Sequence, residues 1–367
     1  MLFRSDRLTP DDVEAIAAQL YVEMLEAGFT SVGEFHYLHN DPGGGRYGNP
    51  AEMAARVVAA AEATGIGLTL LPVFYAHGDF GGAPPKPGQR RFLSDLDSFA
   101  ALLEASARIL PADGVLGIAP HSLRAVTADE LCALQDMRRE GPIHIHAAEQ
   151  VKEIEASIAF SGARPVEWLL AHAGIDERWC LIHATHLTDA ETDTLAASGA
   201  VAGLCPITEA NLGDGIFPAV RYLGSDGRVA TGTDSNILID PAQELRALEY
   251  SQRLAHRARN LLGSDQYPSV ARRLFQATLD GGAQALGHQH GLFAGMPADI
   301  VTFDENHPAL HGRSGDLLLD SWVFAARTSC IDSVWRGGRK VVSDGRHKHR
   351  DAVCDRYRKA LDRILVA

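Results

Sequence analysis

The chain has 367 residues, of which 46% are apolar and 22% are charged, and its formal net charge is −13. Such a chain is long enough for one large hydrophobic core and a second, smaller domain. No apolar run reaches the roughly 18 residues of a membrane helix, and no apolar stretch typical of a secretory signal follows the first charges. The negative charge argues against non-specific binding to nucleic acid, which needs a basic face. The five cysteines are scattered without CxxC spacing, which predicts reduced thiols in a cytoplasmic protein.

The first element in chain order is a predicted helix that begins after Thr9 and ends near Gly28. Thr9 suits the N-cap and Pro10 suits the first helical position, while two aspartates beside it complement the helix dipole. Glycine is common where a helix ends.

Seven short apolar runs follow this helix, and each has the composition of a buried β-strand. They span 30–37, 67–75, 115–122, 142–149, 180–187, 201–208 and 229–236. Amphipathic segments such as 49–65 and 127–141 lie between them and predict helices. Alternating strands and helices are typical of βαβ units, so we expect a parallel sheet.

Polar and titratable residues collect where these runs end. They are His36, Tyr37, His121, His146, Glu149, His183 and Asp234. Because the functional residues of a (β/α)8 barrel lie at the C-terminal ends of its strands, this placement favours a barrel. A dinucleotide-binding sheet is the alternative, but the glycine-rich segment 41–48 lacks GxGxxG spacing before a helix.

The predicted fold is therefore an α/β, TIM-like (β/α)8 barrel that lacks its first strand. Since the chain begins with a helix, we expect that strand to precede residue 1. Residues 1–289 are assigned to the barrel with strands 2–8. Residues 290–350 are assigned to a small, partial β-sandwich domain, and 351–367 to a C-terminal helix.

Four of the strand-end residues have the chemistry of a metal-dependent hydrolase. Imidazole and carboxylate groups such as His146, Glu149, His183 and Asp234 are ligand types for zinc or a similar ion. Each also has a simpler interpretation, because a histidine in an apolar strand is often a buried structural residue and an aspartate often caps a helix. His144 points to the same side as His146 one layer deeper. It is either half of a chelating pair or a structural histidine.

The segments HIHAAEQ, LIHATHLTDAE, CPITEANLGDGIFP, TGTDSN and GMPADIVTFD resemble the deaminase branch of the amidohydrolase superfamily over essentially the whole chain. The resemblance implies one divalent metal ion, most often zinc, held by His146 and Asp234. It implies Glu149 as the proton shuttle, with His183 and Asp234 also acting in catalysis. His144 would then be the inner, structural histidine.

More narrowly, SVGEFHYLHNDPGG, APHSLRAVT and HIHAAEQVKEIE resemble the formiminoglutamate deiminases of this superfamily. The implied reaction converts N-formimino-L-glutamate and water to N-formyl-L-glutamate and ammonia, a step of histidine degradation, in a cytoplasmic homodimer. Tyr37, His121 and Arg124 match positions around the small dicarboxylate substrate. An arginine can grip a carboxylate with two hydrogen bonds, although a surface salt bridge is the alternative for Arg124.

One family feature does not occur at its expected place. The superfamily supplies two metal ligands from an HxH motif on the first strand, and no histidine precedes His36. Two protein ligands fall short of the three typical of catalytic zinc, so we expect weak metal binding and little activity of the chain as written. The alternatives are a deaminase for a ring substrate of the guanine, cytosine or adenosine type, and a non-catalytic remnant.

Overall fold

A computed structural model of the chain describes residues 2–366. After a short 3-10 helix (Leu2–Arg7), helix α1 spans Pro10–Ala27. The Thr9 side chain accepts a hydrogen bond from the backbone N–H of Asp12, whose carboxylate accepts one from Thr9 N–H, so the helix begins with a capping box. Gly28 ends it in the left-handed conformation at φ 100°. The predicted first helix is confirmed.

The other elements follow in chain order. They are β1 (Ser31–His36), α2 (Glu52–Thr64), β2 (Gly67–Phe74), α3 (Leu96–Ile109), β3 (Val115–Leu116), β4 (Ala119–Pro120), α4 (Ala128–Met137), β5 (Ile143–Ala147), α5 (Val151–Ser161), α6 (Pro165–His172), β6 (Trp179–His183), α7 (Asp189–Ala197), β7 (Val201–Leu204), α8 (Pro206–Leu212), α9 (Ala219–Gly224), β8 (Arg228–Thr231), α10 (Pro241–His256), α11 (Val270–Leu286), β9 (Ile300–Phe303), α12 (Asp316–Phe324), β10 (Ile331–Arg336), β11 (Arg339–Ser343), β12 (Arg346–His347) and α13 (Arg350–Val366). A second 3-10 helix spans Pro87–Gln89.

The first eight strands form a curved parallel sheet. Strand β1 pairs with β2, which pairs with both β3 and β4, and these two short strands are halves of one interrupted strand. A single bridge between Ile118 and Ile143 joins them to β5, and β5, β6, β7 and β8 continue in sequence order. Seven strand positions with helical connections confirm the predicted barrel-type α/β fold. Within residues 2–366, β1 and β8 do not pair with each other.

Helix α11 lies against the β8 side of this opening. A Cβ atom at Gly281 would overlap the carbonyl oxygen of Val229, so only glycine allows the helix to approach β8 this closely. The last turn of α11 reaches the N-terminal end of the sheet, where the Leu286 carbonyl accepts a 2.7 Å hydrogen bond from Thr69 Oγ1. The bottom of the barrel is therefore filled by this helix end.

The C-terminal segment forms a four-stranded antiparallel sheet in the order β12, β11, β10, β9. It lies at the N-terminal ends of β1 and β2, where the Arg336 side chain lies beside Gly67. Helix α12, which the sequence did not predict, packs on α10 and α11, and α13 packs on α1. The predicted small β layer is thus present. It lies on the side of the barrel opposite the strand ends that carry the candidate site. The domain limits at 289 and 350 stay a prediction.

Three of the seven predicted strands are at least four residues too long at their C-terminal ends. The run 180–187 stops being a strand at His183, and 229–236 stops at Thr231. Ala148, His183, Ala184 and Asp234 have positive φ values of 55°, 70°, 46° and 39°. Because residues other than glycine rarely adopt positive φ values, the backbone is strained at these turns, as is common at functional sites. No helix in the described part of the chain is long and apolar enough to cross a membrane.

Candidate active site

Three histidines from neighbouring strand ends meet at the C-terminal end of the barrel. The ring of His146 lies 5.0 Å from that of His121 and 5.5 Å from that of His183, measured between centroids. Phe35, which projects from β1 toward the barrel interior, packs edge-on against His146 at 4.4 Å. The parallel register of β5 and β6 produces this meeting, because it places His146 beside Ile182 and Ala147 beside His183.

The hydrogen bond of His146 determines which ring nitrogen faces the site. Its Nδ1–H donates to the backbone carbonyl of His121 at 3.1 Å, so the proton is on Nδ1 and Nε2 keeps its lone pair. Burial, followed by the neighbouring histidines His121 and His183, lowers the pKa of His146 well below its usual value. A neutral imidazole anchored through its other nitrogen is the usual state of a metal-ligating histidine.

Glu149 follows β5 and faces His183. Its Oε1 lies 3.8 Å from His183 Nε2, and its carboxyl group is partly buried. Burial raises the pKa of Glu149, while the adjacent His183 opposes that rise. The turn that carries it is held by Glu153, whose carboxylate accepts hydrogen bonds from the backbone N–H groups of Ala148 and Glu149 at 3.2 and 3.1 Å. A carboxyl group with a raised pKa holds a proton more readily than an exposed one, which suits a group that accepts and returns protons.

The partner of His183 on its other side is Glu209, a residue that the sequence analysis did not single out. Glu209 Oε1 accepts hydrogen bonds from His183 Nδ1–H at 3.2 Å and from the backbone N–H of Cys205 at 2.9 Å. Both side chains are almost fully buried. The signal in the sequence was limited to the CPITEANLGDG segment, where α8 starts directly after β7.

Asp234 and Tyr37 complete the rim on the side where β1 and β8 face each other. Asp234 lies in a strained turn after β8 and is solvent-accessible, although partial burial still raises the pKa of its carboxyl group and the charge of His183 lowers it. Burial raises the pKa of the Tyr37 phenol, and the charge of Asp234 raises it further. These two side chains, which follow the first and the last barrel strand, therefore act on each other electrostatically.

Arg124 has no salt bridge among the described residues, so the surface ion pair considered for it is not formed. Its Nε is buried without a hydrogen-bond partner. Burial lowers the pKa of His121 to about 3, and the nearby Arg124 guanidinium contributes to that shift. The same guanidinium lowers the pKa of Glu149, after the larger effects of burial and His183. Arg124 is thus a positive charge without a counterion beside the site.

His144 does not belong to this cluster. It is fully enclosed, and its Nε2–H donates a 2.7 Å hydrogen bond to the carbonyl of Ala285 at the end of α11. Burial lowers its pKa to about 4. His144 and His146 therefore do not form a chelating pair here. Their rings hydrogen-bond to different backbone carbonyls, that of Ala285 for His144 and that of His121 for His146.

Two side chains of the site are of the types that bind divalent metal ions. His146 presents a free Nε2 to the site, and Asp234 offers a carboxylate from the far strand. His183, Cys205 and Glu209 also place potential ligand atoms within 4.8 Å of one another. In that group, however, Glu209 Oε1 is already engaged by two N–H donors, and burial raises the pKa of the Cys205 thiol well above its usual value. It is better described as a hydrogen-bonded support for His183.

Comparison with known proteins places these features in context. A family model described as the amidohydrolase family matches residues 1–341. A formimidoylglutamate deiminase from Pseudomonas aeruginosa is 48% identical over 362 residues, covering 98% of this chain and 80% of that protein. The crystal structure of an amidohydrolase from Brucella melitensis matches with a TM-score of 0.96 and 52% identity, covering 99% of this chain and 81% of that one. A zinc-bound adenosine deaminase from Xanthomonas campestris matches with a TM-score of 0.80 at 22% identity, covering 98% and 77%.

Proposed function

The chain belongs to the amidohydrolase family, as its motifs predicted, and we propose that it hydrolyses N-formimino-L-glutamate to N-formyl-L-glutamate and ammonia, a step of histidine degradation. The observation that carries this proposal is Arg124, a cationic side chain without a counterion beside the His146 and His183 cluster. The similarity to a deiminase of this substrate over 98% of the chain supports it.

We assign a divalent metal ion, most simply zinc, to His146 and Asp234. Such an ion would supply the Lewis acidity that makes water nucleophilic at neutral pH. The support is the fixed tautomer of His146, with Nδ1–H bonded to His121 and Nε2 free, and the carboxylate of Asp234 across the opening. Zinc, iron and manganese all accept such ligands, so metal analysis of the purified protein tests the assignment.

Glu149 is assigned as the proton shuttle. Its raised pKa and its place 3.8 Å from His183 suit a group that takes a proton from the attacking water and delivers it to the departing nitrogen. His183 is assigned to hydrogen-bond the reacting water or substrate through Nε2, because Nδ1 is committed to Glu209. Water adds to the amidine carbon, the bond to the terminal nitrogen breaks, and ammonia leaves.

Arg124, Tyr37 and His121 are assigned to substrate binding. The guanidinium of Arg124 matches a carboxylate, and the phenol of Tyr37 provides a hydrogen-bond donor at the same rim. His121 packs against the Tyr75 ring at 4.7 Å and bonds Ser122 Oγ through Nδ1 at 3.1 Å, so its ring is held in place.

Ammonia release from N-formimino-L-glutamate, measured with the metal-supplemented chain, tests this function. We expect slow turnover with this substrate, because two protein ligands hold the metal ion weakly, and none with guanine, cytosine or adenosine. Turnover of a ring substrate instead would favour the second deaminase class. Failure to release ammonia from any of them while binding metal would favour a non-catalytic role.

Replacing Arg124 with Ala tests the substrate assignment within that assay. Loss of a charge-assisted hydrogen-bond pair should raise KM by about 10-fold to 100-fold. Arg124→Lys should reverse only part of that increase, because lysine lacks the planar guanidinium with its paired N–H donors. The exposed Arg139, paired with Asp136 at 2.9 Å, gives a matched control in Arg139→Ala. An unchanged KM for Arg124→Ala would remove this residue from the substrate site.

Two further proposals concern the state of the protein in the cell. All five cysteines are free, which supports a reducing, cytoplasmic compartment. A homodimer is proposed on the family resemblance alone, and light scattering of the purified chain tests it.

A further inference from the structure

A second carboxylate stands next to the proposed proton shuttle, in the loop that follows α8. Asp214 is only 8% exposed, although the residues on both sides of it are exposed. Such burial of a carboxylate is unfavourable without partners. The loop therefore holds this side chain against the barrel for a reason other than packing.

The contacts of Asp214 hold the residue in place but leave one of its carboxylate oxygens without a hydrogen bond. Its Oδ1 accepts a 3.1 Å hydrogen bond from Gln150 Nε2, the residue after Glu149. Its backbone carbonyl accepts a 2.7 Å hydrogen bond from His186 Nε2–H, and its backbone N–H donates to the Glu209 carbonyl at 2.9 Å. The other carboxylate oxygen, Oδ2, is buried with no hydrogen-bond partner in the described part of the molecule.

The charge of Asp214 lies close enough to the site to act on two of its carboxyl groups. After burial and His183, the charge of Asp214 is the next influence on the pKa of Glu149, and it raises it. It also raises the pKa of Asp234, together with burial and Glu209. Asp214 is thus held by contacts from the turn after β5, from His186 after β6 and from Glu209 in α8, beside the turn that carries Glu149.

From this geometry we infer that Asp214 is a specificity-determining residue that binds the cationic amidine end of the substrate through its unpartnered Oδ2. This inference rests on the proposed function and names the substrate feature that the site recognises. A substituted formamidine is a strong base and carries a proton at neutral pH, so its N–H groups are charged donors. A charge-assisted hydrogen bond to a buried carboxylate is stronger than a neutral one.

The same contact would separate substrate from product. Hydrolysis replaces the terminal nitrogen of the amidinium with a carbonyl oxygen, which is neutral and has no proton to donate. That oxygen would face the lone pairs of Oδ2, so the product loses an attractive contact and gains a repulsive one. Asp214 would therefore favour the substrate in the ground state and aid release of N-formyl-L-glutamate.

A matched ligand pair tests this without turnover. N-amidino-L-glutamate and N-carbamoyl-L-glutamate are both stable and differ only by a cationic NH2 group against a neutral oxygen. Calorimetric titration should show that the wild-type chain binds the cationic ligand about tenfold or more tightly. Asp214→Asn retains an oxygen for Gln150 but has no charge. This variant should bring the ratio of the two Kd values close to one. The Kd of the neutral ligand should stay within about twofold of its wild-type value.

Two further variants keep the outcome decisive. Asp193→Asn removes an exposed aspartate paired with Arg221 at 2.6 Å, and it should keep the full preference. Gln150→Ala changes an exposed residue and should lower the preference by releasing Asp214. The inference is overturned if the wild type shows no preference, if Asp214→Asn keeps it, if both Kd values rise equally, or if neither ligand binds. Absence of ammonia release with the preference intact would instead reject only the proposed reaction.

Discussion

His183 Nδ1 lies 3.2 Å from Glu209 Oε1, and both side chains are almost completely buried. The carboxylate fixes the proton on Nδ1 and so leaves Nε2 for the site, which is the arrangement of a histidine oriented by an acidic partner. His183 also has a left-handed backbone, with φ 70°. The strained turn and the Glu209 hydrogen bond together determine where this imidazole points.

We therefore expect Glu209→Ala to lower kcat by about 10-fold to 100-fold, the effect typical of outer-shell partners of functional histidines, with a smaller change in KM. Glu209→Gln should recover most of kcat, because its amide oxygen can still accept from His183 and Cys205. Steady-state kinetics with thermal melting measures both. A purely structural role would instead lower the melting temperature and active fraction of both variants without this recovery.

The two histidines of the HIH segment should separate by phenotype. His146→Ala should remove the metal that the zinc-supplemented chain retains, measured by elemental analysis, and it also costs some stability because the His121 carbonyl loses its donor. His144→Ala leaves the Ala285 carbonyl unpaired and opens a cavity, so we expect about 2–4 kcal/mol lower stability to urea and unchanged metal content. The reverse pattern would show that His144 is the ligand. A wild-type chain that retains no metal after zinc supplementation would contradict the assignment of His146 as a ligand.

Much of this site was predictable because it depends on the alternation of strand residues. Once 142–149 is recognised as a strand in a parallel sheet, His146 must share the C-terminal edge with His121 and His183. The deeper position expected for His144 also follows from that alternation. The burial of an apolar run and the approximate position of a strand end both depend on neighbouring residues, so a single sequence is enough to predict them.

Glu209 and Asp214 were not predictable in the same way. They lie in 206–216, a short helix and loop with no periodic pattern. Their roles depend on contacts to His183 at the end of β6 and to Gln150 at the start of α5. The lengths of the strands were overestimated for a related reason. The apolar composition continues past residues such as His183, but the backbone turns there into conformations that composition does not reveal.

Stability should fall in mild acid, in part through His39. Its Nε2–H donates to the Val73 carbonyl at 2.8 Å while Nδ1 is buried without a partner, and burial lowers its pKa from 6.5 to about 4. Between these values the unfolded chain binds a proton that the folded chain does not. Stability contributed by the neutral ring is therefore complete above pH 6.5 and decreases toward pH 4, by up to about 3 kcal/mol for this residue.

His39→Gln separates this contribution from those of the other buried histidines. Glutamine can still donate to Val73 but does not titrate, so the free energy of unfolding should change less between pH 7 and pH 5 than in the wild type. Urea denaturation at several pH values measures the slope. Identical slopes for the two proteins would mean that His39 already has an ordinary pKa in the folded state.

The packing of α11 on β8 gives a sharp test of the fold, because two adjacent glycines differ in their surroundings. A Cβ atom at Gly281 would overlap the Val229 carbonyl, whereas one at Gly282 would meet no atom within 4 Å. Gly281→Ala should destabilise the protein by about 1–3 kcal/mol through overpacking. Gly282→Ala should stabilise it by about 0.5–1 kcal/mol, since alanine is the better helix former. Chemical denaturation measures both, and similar effects of the two substitutions would show that α11 does not lie against β8 as described.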